Sequence, residues 1–313
     1  MKNNIKKIIY TAGYLDGDGC FYSGQYFQGK SNVIVYEYSI QVVSVKIESL
    51  EFFKKNFGGY IIQKPRRINH KQPYCWTIKN KECVKLAKSV EPYLRDKRIQ
   101  CQFQIKLAQT IVPNCGITIS PDIIQQRQEF MVQIKYNKHM DELVTKEKID
   151  QLKDIETIKP EDLDYPYLAG LIDSEGCFRI KKWKPKDKPN YVYAISLEIG
   201  NRRFPIFEFL MERFGGNIIF ISPRANKNSS ATWSISAFAL SQLIPKILPY
   251  LIIKKQTAEK IMEFYNTTLS NGGDRHSEKF KALYAENIII RERIVQEIHN
   301  LNLKGLVVES SSL

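Results

Sequence analysis

One short pattern occurs twice in this chain, and it limits the fold more than any other feature. The first copy is Thr11-Ala12-Gly13-Tyr14-Leu15-Asp16-Gly17-Asp18-Gly19-Cys20-Phe21. The second is Leu168-Ala169-Gly170-Leu171-Ile172-Asp173-Ser174-Glu175-Gly176-Cys177-Phe178. A shift of 157 residues takes Asp18 to Glu175, and other landmarks keep it. Phe57-Gly58-Gly59 maps to Phe214-Gly215-Gly216, and Trp76 to Trp233. Pro92-Tyr93-Leu94 maps to Pro249-Tyr250-Leu251, and Lys97 to Lys254. Landmarks in one register define a duplicated domain. Two copies of one surface pack naturally around a two-fold axis.

Each copy reads as the end of a helix. Gly13 and Gly17, and Gly170 and Ser174, then lie at i and i+4 on one face, where small residues let two helix backbones approach closely. Gly19 and Gly176 read as left-handed residues that stop the helices. The acid before each glycine, Asp18 or Glu175, sits at the negative end of a helix dipole. Two such helices side by side would add repulsion between the acids. A divalent cation would offset that cost, and hard oxygen ligands suit Mg²⁺ best.

Both copies resemble the LAGLIDADG motif, and the chain resembles the single-chain, two-motif LAGLIDADG homing endonucleases. The second copy departs from the name-giving string only at Ser174 and Glu175; the first departs at Thr11, Tyr14, Leu15 and Gly17. The family accepts Asp or Glu at the eighth position. The resemblance implies metal-dependent hydrolysis of one phosphodiester in each strand of a long, asymmetric DNA site, leaving short 3′ overhangs. Asp18 and Glu175 would hold the metal ions, with the carbonyls of Gly17 and Ser174 as further ligands. Mg²⁺ or Mn²⁺ would support cleavage, and Ca²⁺ would bind without supporting it. Lys97 and Lys254, each 79 residues after its acid, match the family's basic residue that positions water and neutralises charge. Ser44 and Asn201 match its water-positioning polar residue. Asp16 and Asp173 also match the motif, in a structural role near the helix end.

Composition agrees with a polyanionic partner. The formal net charge is +14 over 313 residues, enough chain for two ordinary domains. The six cysteines form no C-x-x-C pair, which points to a reduced, intracellular setting. No signal-peptide pattern opens the chain and no run of eighteen apolar residues occurs, so no membrane role is expected. Heavy use of Lys, Ile and Asn points to an AT-rich genome, that of an organelle (mitochondrion or chloroplast) or of certain bacteria.

The patterning predicts an α+β fold: two similar αββαββα domains about a pseudo-two-fold axis, each with a four-stranded antiparallel DNA-binding sheet. The expected domains are 1–112 and 165–270. Residues 113–164 read as a linker with a helix, and 271–313 as a C-terminal helical extension. Asp164 is expected to cap the second motif helix. Strand alternation gives each sheet one apolar and one polar face. The polar face would lie in successive major grooves, which admit a two-stranded ribbon. In the first half it carries Tyr22, Tyr26, Gln28, Ser39, Gln41, Thr77 and Lys79. In the second it carries Arg179, Lys181, Trp183, Ser196, Glu198, Asn217, Thr232 and Ser234. Lys30, Arg66, Arg67, Lys71, Lys186 and Lys188, at the hairpin tips, would hold phosphates, and Lys64 and Arg224 are also expected to contact DNA.

The expected protein is therefore a monomeric site-specific double-strand endonuclease of intron homing. Two other readings stay open on the same scaffold: a maturase whose partner is host intron RNA, and a non-cleaving DNA-binding regulator. The retained acids argue against an inactive form.

Overall fold

The structure, a computed structural model, describes residues 2–28, 33–66, 70–111, 119–140, 143–186, 191–223, 228–267 and 277–303. The first half runs α1 (Lys2–Asp18), β1 (Gly19–Gln28), β2 (Val33–Ser44), α2 (Ile47–Phe57), β3 (Tyr60–Gln63), β4 (Tyr74–Lys79), α3 (Asn80–Val90) and α4 (Arg98–Thr110). Then come α5 (Pro121–Met140) and α6 (Lys146–Leu152). The second half repeats the order: α7 (Asp164–Glu175), β5 (Gly176–Trp183), β6 (Val192–Asn201), α8 (Phe204–Phe214), β7 (Asn217–Ile221), β8 (Ser230–Ser236), α9 (Ala237–Ile247) and α10 (Lys255–Asn266). Helix α11 (Glu278–Leu303) follows.

Each half builds one four-stranded antiparallel sheet, in the order β1-β2-β4-β3 or β5-β6-β8-β7. The registers match: Gln41 stands between Cys20 and Thr77, and Glu198 between Cys177 and Ser234. This is the α+β, pseudo-two-fold fold that the duplication predicts. The apolar sheet faces bury Phe21, Ile40, Trp76 and Ile78 in one half and Phe178, Leu197, Ile199 and Trp233 in the other. Both sets join one core through α1 and α7, which pack on each other. Among the described residues no helix is long and apolar enough to cross a membrane.

The glycine pairs after α2 and α8 have a conformational reason. Gly58, Gly59, Gly215 and Gly216 all have positive φ, from 59° to 99°, where a side chain is strained. The turns present the carbonyls of Gly58 and Gly215 to the indoles of Trp76 and Trp233, at 2.9 and 2.6 Å.

Several details differ from expectation. Gly19 and Gly176 are not left-handed; Gly176 has φ −73° and ψ 151°. Both must be glycine because each strand leaves its helix against the preceding turn. A Cβ would lie 2.6 Å from the Leu15 carbonyl in one copy and 2.9 Å from the Ile172 carbonyl in the other. Asp164 lies inside α7 and does not cap it; its carboxylate accepts the backbone N–H of Glu161 at 2.9 Å. Helix α4 begins only at Arg98, because residues 95 and 97 turn their N–H groups toward Asp16. Helix α9 tolerates Pro245 inside it.

The largest difference concerns α5 and α11, which read as a linker helix and an extension. Each docks on its own half in the same way. Arg127 of α5 donates to the hydroxyl and carbonyl oxygens of Thr110, its guanidinium 4.9 Å from the Tyr36 ring centroid. Arg291 of α11 does the same to Thr267, 5.7 Å from the Tyr193 centroid. Thr110 and Thr267, and Tyr36 and Tyr193, keep the shift of 157. The arginines are 164 apart, as are the buried Ile134 and Ile298. The repeat therefore includes one more helix per half, hidden in the sequence by seven extra residues before α11.

Candidate active site at the paired helix ends

The site starts from how closely α1 and α7 touch. A Cβ on Gly13 would lie 2.0 Å from the Tyr167 carbonyl oxygen, and one on Gly170 would lie 2.0 Å from that of Tyr10. No side chain fits at either point. A Cβ on Gly17 would meet the Ser174 hydroxyl at 2.1 Å. This contact brings Asp18 and Glu175 together at the adjoining helix ends.

The penultimate acid of each motif fixes the surrounding backbone. Asp16 accepts the N–H groups of Arg95 and Lys97, at 2.8 and 2.9 Å. Asp173 accepts those of Ile252, Ile253 and Lys254, at 2.7, 3.1 and 2.8 Å. Each also accepts a tyrosine hydroxyl from the opposite half: Tyr167 reaches Asp16 at 2.7 Å and Tyr10 reaches Asp173 at 2.9 Å. Burial pushes both carboxyls up, against these hydrogen bonds.

The same loops deliver the two lysines. Lys97 Nζ donates to the carbonyls of Leu15, Gly17 and Gly19, each at 2.8 Å. Lys254 Nζ donates to those of Ile172 and Asp173, at 2.6 and 3.0 Å. These are not surface lysines. Each ammonium sits on the negative end of a motif helix, where a cation is favoured. It offsets part of the cost of the acid there. Burial pushes both lysines down, and Asp16 and Asp173 are the main charges holding them up. Asp18 keeps a solvent-facing side and Glu175 is half-buried. Burial pushes both carboxyls up, the Asp18 charge raises Glu175 further, and Lys97 and Lys254 pull both down.

Beside Glu175 lies a cavity of about 620 Å³, lined also by Gly17, Lys97, Asn201, Arg202 and Thr232. Asn201 Oδ1 accepts the N–H groups of Arg202 and Arg203, and Ser44 Oγ accepts that of Lys46. The two polar strand ends thus form equivalent local turns. Among the described residues no group of three or more His, Cys, Asp or Glu could hold a metal. The donors are two carboxylates and helix-terminal carbonyls, that of Ser174 and that of Gly17, whose first lone pair already accepts from Lys97 Nζ. That set fits Mg²⁺, which is commonly bound by one or two carboxylates and completes its shell with water and substrate phosphate.

The outer sheet faces carry most of the expected DNA-facing side chains. Tyr22, Tyr26, Arg179, Lys181, Trp183 and Asn217 are exposed, and Gln41, Lys79, Ser196, Glu198, Thr232 and Ser234 are half-buried. Ser39 and Thr77 differ: they are 0% and 4% exposed. Both are short residues on interior strands, and Ser39 stands between Tyr22 and Lys79 in the register. Arg179 and Lys181 pair with Glu198 at 3.0 and 3.1 Å, and Lys79 pairs with Glu37. Arg66 and Lys186 are exposed and Lys64 and Lys71 are half-buried. Lys30, Arg67, Lys188 and Arg224, and the Gln28 side chain, lie outside the described residues.

Sequence reasoning missed Tyr10 and Tyr167, although they keep the shift of 157 and that signal could have found them. It also missed Arg95 and Asp96, which have no like counterpart in the repeat. Arg95 lies 3.7 Å from the Phe209 ring centroid and 3.5 Å from Asp164. Asp96 pairs with Arg203 at 3.7 Å.

A duplicated α+β scaffold with two acids and two buried lysines at one helix seam defines the class. Residues 168–269 match the family model described as LAGLIDADG endonuclease. The chain also resembles single-chain LAGLIDADG homing endonucleases in its whole fold. One is I-SmaMI bound to an uncleaved DNA target with calcium ions: TM-score 0.64, 14% identity, over 94% of this chain and 97% of that one. A second is I-LtrWI bound to target DNA: TM-score 0.64, 18% identity, over 93% and 98%. A third is I-AabMI bound to uncleaved DNA: TM-score 0.61, 16% identity, over 91% and 98%. No curated protein matches the sequence.

Proposed function

We propose that this chain is a site-specific DNA endonuclease that cuts both strands of a long asymmetric duplex site. The observation that carries the reading is the seam itself. Asp18 and Glu175 meet at the ends of two helices, and Lys97 and Lys254 sit on the carbonyls beside them. A structural seam has no need for two acids at the negative ends of two helix dipoles.

In this reading Asp18 and Glu175, with the Gly17 and Ser174 carbonyls, hold divalent metal, Mg²⁺ or Mn²⁺. The metal, when bound, lowers the pKa of a coordinated water and stabilises the leaving 3′ oxygen. The chain does the rest. Lys97 and Lys254 fix the helix ends so that the acids keep their separation. Asp16 and Asp173 fix the lysines by holding the N–H groups on either side. Asn201 borders the cavity beside Glu175, and it and its counterpart Ser44 would position water. The polar sheet faces read base edges in two successive major grooves, through Tyr22, Tyr26, Gln41 and Lys79 in one half and Arg179, Lys181, Trp183 and Asn217 in the other. Residues 1–112 and 165–270 act as the two DNA-binding domains of a monomer.

The deciding experiment is cleavage of a library of duplex sites with Mg²⁺ or with EDTA, beside Glu175→Gln. Staggered double-strand cuts at one long site, lost with EDTA and with the variant, are expected. Specific DNA binding without cuts would replace the endonuclease by a regulator. No specific DNA binding would make host intron RNA the next ligand to test.

A further inference from the structure

The two halves differ at one groove, and the difference points to a missing occupant. In the second half the groove between α8 and β7 is filled by the connecting chain. Leu143 bridges to Arg203, and the Val144 N–H donates to the Arg202 carbonyl at 3.0 Å. Ile149 and Leu152 of α6 are buried, and the Ile158 N–H donates to the Glu212 carbonyl at 2.7 Å. Under this cover Met211, Ile218 and Ala231 are buried.

The equivalent groove of the first half, between α2 and β3, is open among the described residues. It is a cavity of about 640 Å³ lined by Ile47, Glu51, Lys54, Lys55, Ile61, Gln63 and Tyr74. Val45 and Ile47 are 44% and 37% exposed.

The register of the extra helices names a candidate to fill it. Helices α5 and α11 are equivalent at a shift of 164, set by Arg127 and Arg291. That shift carries Leu143 and Val144 to Val307 and Val308, and Ile149 to Leu313. All three counterparts are apolar. The direction of the chain agrees. The Asn302 carbonyl, one residue before the end of α11, accepts from Lys71 Nζ, which belongs to the first half. Charge agrees too: Glu309 follows Val308, and the groove carries Lys54 and Lys55 against one acid, Glu51, with Lys46 next to Ile47 in the chain.

We infer that residues 304–313 of this chain dock in the α2–β3 groove of the first half, with Val307 and Val308 against Val45 and Lys46. The segment is the symmetry counterpart of the linker strap at Arg202 and Arg203. It ties the end of the second half to the first, beside Ser44, as the linker ties the first half to the second beside Asn201. This holds whether or not the chain cuts DNA.

The test uses the full chain with a photoreactive benzoylphenylalanine in place of Gln63, an exposed groove residue. Crosslinks to residues 304–313 of the same chain, at a yield independent of protein concentration, are expected. Crosslinks only between chains would assign the groove to a second copy and overturn the inference. So would crosslinks only to other segments, or none. Hydrogen exchange gives a readout without a variant. The Val308 amide should exchange more slowly than in a free peptide of the same residues, and an equal rate would overturn the docking.

Discussion

The two halves share a scaffold but differ in what they place on it. The first sheet presents Tyr22, Tyr26, Val43, Tyr60 and Ile62, an aromatic and apolar surface. The second places Arg179 and Lys181, tied together by Glu198, with Asn217 and Thr232 beside its own exposed apolar residues Trp183, Ile219 and Ile221. The loop at Arg95 and Asp96 reaches the second half through an aromatic face and ion pairs, whereas its counterpart is Ile252 and Ile253. The seam is nearly identical in both copies, with two glycine contacts, two crossed tyrosine–aspartate bonds and two capping lysines. So are the tryptophan–glycine turns and the arginine–threonine docking of α5 and α11. Duplication therefore kept the scaffold and the seam and released the outer surfaces.

The comparison breaks first at the acids. In the proposed reading, Glu175→Gln and Asp18→Asn each lower double-strand cleavage by at least about 100-fold, the scale on which losing a charge-stabilising group acts. If one variant still nicks one strand of a mapped site, gel analysis of the two labelled strands will show which acid serves which strand. The metal arm is separate: Mg²⁺ should raise the melting temperature of the native chain, and either variant should reduce the rise.

The helix contact comes next. Gly13→Ala and Gly170→Ala should each destabilise the chain by about 1–3 kcal/mol or more, because the added carbon meets backbone oxygen and cannot be accommodated by a rotamer. Similar urea midpoints for the two variants would support the symmetry; a large difference would break it. The lysines should separate the halves. Lys97→Met leaves three carbonyls without their ammonium, and Lys254→Met leaves two. A hydrogen bond to a charged group contributes about 1.5–3 kcal/mol, so the first variant, which loses three, should be the less stable in chemical denaturation.

The smallest effects lie on the sheet faces. Arg179→Ala, which removes a cation from the DNA-facing surface, should lower the salt dependence of DNA binding by up to about one unit of slope. Tyr22→Ala, at the equivalent position, should leave the slope unchanged while weakening binding. Equal slopes in a titration over salt would remove the distinction between an apolar and a basic reading face.

Much of this was legible because the pattern is local. The glycine spacing in each motif, the Phe-Gly-Gly turns and the strand alternation each depend on neighbours a few residues away. Ser39 and Thr77 were misjudged because alternation gives the face and not the depth; their cover comes from flanking strands. The kinship of α5 and α11 was hidden because loops of unequal length break a fixed shift, while the arginine–threonine contact survives.

By itself the sequence determined the duplication, the α+β class and the identity of the paired acids, since each is written in short-range order repeated at one interval. Only the tertiary structure decided how those acids are held. Lys97 and Lys254 are distant in sequence from the helix ends they cap, and Tyr10 and Tyr167 bond across the halves. Such contacts arise when two separately folded surfaces meet, and no local spacing encodes them.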